Sequence, residues 1–292
     1  MSHQLRQMEM TREEAEALHR EGSRLDRILA ASNTFVRPSV EPPVPNSPME
    51  QANRADLREA YDMSYLLLFS AEDHLRTILM ILNVGPLPCF ALLTLIRAAA
   101  EADVRCRHLL DPLITEPERL ARGMNERLDN LQEQRKVDAP QADKHYQRRV
   151  AHLEQRAKAN GITPLYSKGG GPIHAFVEPQ KTDRDLFATY LPGGTGSMAF
   201  SFLSGYVHSK PWVTVQASRA KPSAERGVAD VATDLNVVLF ASILKIVLDV
   251  HDFNVGQWLR LAGYPPEVWA NAKKVKAAAR PGSTQFEQGS VP

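Results

Sequence analysis

Arg97 and Glu101 stand four residues apart in the segment Leu95-Ile96-Arg97-Ala98-Ala99-Ala100-Glu101. On a helix that spacing places the two side chains one turn apart on one face, where guanidinium and carboxylate can pair. Their neighbours are alanine or apolar, so a charge buried there needs a hydrogen-bonded partner. Two chemistries follow. The pair either fixes helix register as a buried salt bridge, or it lines a polar pocket that holds a ligand or runs a reaction. His208, in Ser204-Gly205-Tyr206-Val207-His208-Ser209, ends a helical stretch whose C-terminal carbonyls favour a protonated imidazole. Arg97, Glu101 and His208 are therefore the candidate catalytic residues. Arg97 needs polar company from a second helix, and the end of the 197–208 helix can supply it. His208, Ser204 or Ser209 is thus expected within about 8 Å of the Arg97–Glu101 face, in reach of direct or water-bridged hydrogen bonds. His74, in line with Leu67, Ala71, Ile78 and Ile81, reads as a hydrogen-bonded core histidine.

Other chemistries find less support. The chain has no His-x-x-x-His, no Cys-x-x-Cys and no pair of Glu-x-x-His motifs of the di-iron type, so neither a metal nor another cofactor is expected. Asp249 and His251, two apart, point to different sides of a helix. Gly193-Gly194-Thr195-Gly196-Ser197 lacks the spacing of a phosphate loop and reads as a hinge. Residues 116–160 carry ten Lys and Arg but also eight Asp and Glu. That mixture reads as a solvated helical face, and nucleic acid as a partner has weak support.

The elements that must position these residues read as helices. Alanine (34) and leucine (32) exceed a fifth of the 292 residues, while aromatics are 7%. This composition favours helix over sheet. Thirty-five basic side chains balance 34 acidic ones, so no global field draws the chain to a polyanion. Thr11 with Glu14, and Thr115 with Glu118, form capping boxes, and Ser47-Pro48-Met49-Glu50 is a third helix start. Residues 1–33 hold an N-terminal amphipathic helix, from about Arg12 to Ala31, whose narrow apolar seam suits a neighbour or a partner protein. Residues 34–47 form a proline-rich linker. A helical bundle follows over 48–279, and 280–292 is a disordered tail. Its first helix is expected to run without a break from Ser47 to about Asn83. The segment 77–96 imitates a membrane span with 20 uncharged residues, but Gly85-Pro86 divides it into two helices too short to cross. A loop over 161–181 and a short helix over 183–190 come next. The longest apolar helix, beginning at Ser223, should lie at the centre of the bundle. The class is all-α: a helical bundle with a long central buried helix and an appended N-terminal helix. Cys89 and Cys106, 17 residues apart on one helix, lie roughly 25 Å from each other and cannot bridge. With no apolar stretch at the N-terminus, the expected location is the cytoplasm.

The order Leu95-Ile96-Arg97…Glu101-Ala102, then Glu118-Arg119…Arg122, then Tyr206-Val207-His208-Ser209 resembles a family of all-helical bacterial proteins of unassigned role. It covers roughly residues 55 to 255. More distantly the layout is similar to the HEPN superfamily (higher eukaryotes and prokaryotes nucleotide-binding). That resemblance implies a helical bundle, often dimeric, in toxin, phage-defence and RNA-cleaving systems. Its catalytic members place a histidine after an arginine with four to six residues between. Arg148 and Arg149 stand closer than that to His152, and the resemblance carries over no ribonuclease site. The expected function is a soluble helical binding or scaffold protein, forming a homo-oligomer or meeting a protein partner through its N-terminal helix. The alternative is a nucleotide- or RNA-processing enzyme with a non-standard polar site.

Overall fold

The computed structural model describes residues 10–35, 42–84, 87–137, 142–222, 229–233 and 235–278. Gly85-Pro86, Asp138-Ala139-Pro140, residues 36–41 of the proline-rich linker and the expected tail lie outside these residues.

Helix starts follow their caps. Thr11 and Glu14 close their box at the head of α1 (Arg12–Ser32), and the Ser47 hydroxyl accepts from the Glu50 N–H ahead of α2 (Pro48–Arg54). The helix expected to run unbroken from Ser47 to about Asn83 is interrupted. Asp56 takes a left-handed conformation (φ 54°), Leu57 turns into the core, and the chain restarts as α3 (Glu59–Val84). α4 (Cys89–Leu109) and α5 (Glu116–Val137) follow, the second opened by the Thr115–Glu118 box, and then α6 (Ala142–Ala159). Residues 161–181, expected as loop, hold an antiparallel hairpin of β1 (Pro164–Tyr166) and β2 (Ile173–Phe176), turned through left-handed Gly169 and Gly170.

α7 (Asp183–Tyr190) and α8 (Gly196–Val207) are joined by a tight turn in which Gly193 and Gly194 have φ of 75° and 67°. This turn lets Gly196 sit directly on the Phe187 carbonyl, where a Cβ would come within 1.9 Å of the oxygen. Pro211 opens α9 (Pro211–Ala217). The helix expected from Ser223 starts later. Strands β3 (Ser218–Pro222) and β4 (Ala229–Thr233) pair first, and Asn236 then caps α10 (Val237–Leu261) by accepting from the Leu239 N–H. α11 (Pro266–Ala278) ends the described chain.

The fold is the expected all-α bundle, with α10 at its centre against α4, α1 and α3. Phe240, Leu244 and Leu248 of α10 are completely buried beside Leu68 and Leu75 of α3 and Ile96 of α4. α1 joins this core through Leu25, Ile28, Leu29 and Ala31. Its seam is therefore covered by α10 and α11 of the same chain, and its N-terminal half stays exposed. A second, smaller core gathers Met124, Leu128 and Leu131 of α5, Val150 and Leu153 of α6, Leu57, and Ile173 and Phe176 of the β1–β2 hairpin. Both cysteines are buried thiols. Among the described residues no helix is long and apolar enough to cross a membrane.

Candidate functional site

Arg97 and Glu101 do pair across one turn of α4. The Arg97 guanidinium is buried between the rings of Phe187 and Phe200, 4.8 and 4.1 Å from their centroids, and donates to the Phe200 carbonyl at 3.0 Å. The polar partner thus comes from α8, but from its middle rather than its end. His208 is exposed two turns further on, where its backbone N–H donates to the Ser204 carbonyl. Arg97 and Glu101 form a lock between α4, α7 and α8. Arg97→Ala is expected to cost about 2 kcal/mol through the lost ring contacts and hydrogen bonds. His208→Ala should change stability by less than about 0.5 kcal/mol. Urea unfolding of the two variants checks both figures, and an equal loss in each would make His208 part of the lock.

A second set of ionisable groups, 148 residues apart in sequence, meets at the centre of the bundle. His251 of α10 holds Asp103 of α4 through Nδ1 at 2.9 Å, while its Nε2 lies 3.9 Å from Glu72 of α3. Glu72 accepts from the Ser32 hydroxyl of α1 and from Arg76, and Asn254 donates to the Asp103 carbonyl. Burial lowers the His251 imidazole, but the charge and hydrogen bond of Asp103, helped by Glu72, outweigh it and hold it above its ordinary value. The imidazole thus lies between two acidic side chains, the second of which also pairs with Arg76. Ser32, Asp103, His251 and Asn254 are fully buried, so the network joins four helices and reaches solvent through the partly exposed Arg76.

His108, near the end of α4, is also buried. Its Nδ1 lies 3.1 Å from both the Arg122 guanidinium of α5 and the Tyr190 hydroxyl of α7. Burial, then the charges of Arg122 and Lys181, push its pKa down to about 3. The ring is neutral in the fold and accepts from Arg122. An unfolded histidine takes up a proton near pH 6.5. Between about 6.5 and about 3 the unfolded chain therefore binds the extra proton, and stability falls as pH is lowered through that window. His108→Gln, which keeps an acceptor but cannot titrate, is expected to flatten this slope in denaturant titrations at pH 4 to 7. An unchanged slope would assign it to other groups.

The open site lies elsewhere, between the two cores. A cleft of about 730 Å³ separates α3 from α5 and α6. Arg58, Arg127, Arg148, Arg149 and Arg156 line it with His152, against the carboxylates of Asp56, Glu59 and Asp62. Pairing does not use all five cations. Arg156 holds Glu59 with both terminal nitrogens and lies 3.0 Å from Asp56, and Arg58 pairs with Asp62 at 3.0 Å. Arg127, Arg148 and Arg149 make no ion pair with a described carboxylate, and Arg149 donates to the Gln134 amide at 2.9 Å. Burial and the charge of Arg149 push the Arg127 guanidinium below its ordinary value, and the nearby carboxylates of Glu59 and Asp62 offset this only in part. Leu131 and Leu153 form the apolar floor.

Sequence reasoning passed over this cleft because the arginines of 116–160 read as a solvated face. On α6, Arg148, Arg149, His152, Leu153 and Arg156 recur at helical spacing, which was the available signal. The one histidine that follows an arginine with six residues between, His19 after Arg12, lies on the exposed start of α1, and Arg12 pairs there with Glu16. Among the described residues no group of three or more His, Cys, Asp or Glu side chains is arranged to hold a metal ion. Comparison with protein-family models, with curated proteins and with solved structures returns no match.

Proposed function

We propose that the protein is a helical binding protein that holds a small anionic ligand in the cleft between α3, α5 and α6. The observation that carries this reading is the surplus of guanidinium: five arginines line the cleft against the carboxylates of Asp56, Glu59 and Asp62, and those carboxylates make their direct ion pairs with Arg58 and Arg156. Arginine presents a planar fork of donors that suits carboxylate and phosphate oxygens, and the half-buried Arg127 adds a contact partly screened from water. The volume falls inside the range of about 300–1,000 Å³ typical of small-molecule sites. His108 and His251, the groups best suited to acid–base work elsewhere, are committed to buried hydrogen bonds, which favours binding over catalysis.

Calorimetric titration with pyrophosphate tests the reading. Binding is expected, weakening as salt is raised because the contacts are charge-assisted. The double variant Arg148→Gln/Arg149→Gln should reduce affinity at least tenfold while unfolding near the parent temperature, because both side chains are exposed. Equal affinity in the double variant would remove the cleft as the site.

A further inference from the structure

Building on the cleft as an anion site, we infer that its ligand is a small organic phosphate carrying an aromatic ring. The first argument is the number of donors. Three guanidiniums outside direct ion pairs, with only Arg149 giving one N–H to Gln134, offer far more N–H groups than the two oxygens of one carboxylate can use, whereas a phosphate monoester brings three terminal oxygens and up to two charges.

The second argument is a smaller chamber of about 290 Å³ beside the arginine cleft. Arg58, Asp62 and Tyr65 line both spaces, so the Arg58–Asp62 ion pair forms the sill between them. Both side chains of that pair are more than half exposed and can swing aside. Beyond the sill the chemistry changes. Met49, Tyr61, Tyr65 and Trp258 line the smaller chamber together with Pro42 and Pro43. Tyr65 and Trp258 are tilted against each other with centroids 6.0 Å apart, an edge on which a flat ring packs well. The arginines outside direct ion pairs stand on α5 and α6 and the aromatic walls on α3 and α10. A ligand spanning both is anionic at one end and flat and apolar at the other.

Calorimetry on the full chain with phenyl phosphate, inorganic phosphate, glycerol phosphate and benzoate tests this assignment. Phenyl phosphate is expected to bind about tenfold or more tighter than each of the others. Asn53→Trp, placed at the exposed rim of the small chamber, should remove that advantage and leave pyrophosphate binding unchanged. Equal affinities for phenyl and glycerol phosphate would overturn the aromatic half, and equal affinities for phenyl phosphate and benzoate the phosphate half. Either result leaves the anion site standing if pyrophosphate still binds and the Arg148/Arg149 double variant still weakens it. Loss of all anion binding, pyrophosphate included, would instead bring down the underlying reading.

Discussion

Replacing Asp103 with alanine is expected to lower stability by about 3–5 kcal/mol, the cost of leaving a buried charge without its partner. The partner is the His251 imidazole, which is fully buried, favours its charged form beside Asp103, and keeps Glu72 only at 3.9 Å. Asp103→Asn, which retains an acceptor without the charge, should lose less. A loss below about 1 kcal/mol for the alanine variant, read as a shift in urea midpoint, would show that the imidazole sits neutral without this contact. The pH response is a second readout. Because the folded His251 value is raised, its contribution is complete below the unfolded value of about 6.5 and disappears as pH rises through the folded value. Glu72, raised chiefly by burial, acts in the same sense. The parent should therefore lose stability on the alkaline side, and Asp103→Ala should lose most of that dependence.

Gly123→Ala is expected to cost about 3 kcal/mol net, although alanine is the better helix former by about 1 kcal/mol. A Cβ on Gly123 would stand 2.2 Å from the Ala60 nitrogen and 2.4 Å from its Cα. Backbone cannot rotate away as a side chain does, so α5 must move off the start of α3. Arg127 lies one turn further along α5, and the displacement should weaken pyrophosphate binding along with stability. Gly161→Ala is the control: no atom lies within 4 Å, and only its left-handed backbone opposes the change, at about 1 kcal/mol. Similar losses at the two positions would mean that α3 and α5 have slack where they cross.

Features coded within one or two turns were legible in the sequence. The Thr11 and Thr115 boxes, the Asn160-Gly161 stop and the Arg97–Glu101 spacing each depend on residues a few positions apart, and each appears in the fold. The break at Asp56 was not legible, because Leu57 leaves the helix for a core built from α5 and α6, far along the chain. The two hairpins also escaped notice, since strands of three to five residues carry too little alternation to register. The Asp103–His251 contact spans 148 residues and has no local trace. The arginines of α6 were visible as a stripe, but whether a stripe faces water or a cleft depends on where α3 lies.

Having two cores rather than one divides the folding cooperativity. α6 and the β1–β2 hairpin bury their apolar side chains mainly against α5, which is itself packed on α3, so α6 and the hairpin are expected to open while the α1–α3–α4–α10 core stays closed. Amide protons of α6 and the hairpin then exchange as one group, at a free energy below that of global unfolding. The Arg156–Glu59 clamp is one of the side-chain ties that oppose this opening. An anion gripped by Arg127, Arg148 and Arg149 against α3 adds a tie of the same kind, and by mass action it slows exchange in the smaller unit before it changes the larger one.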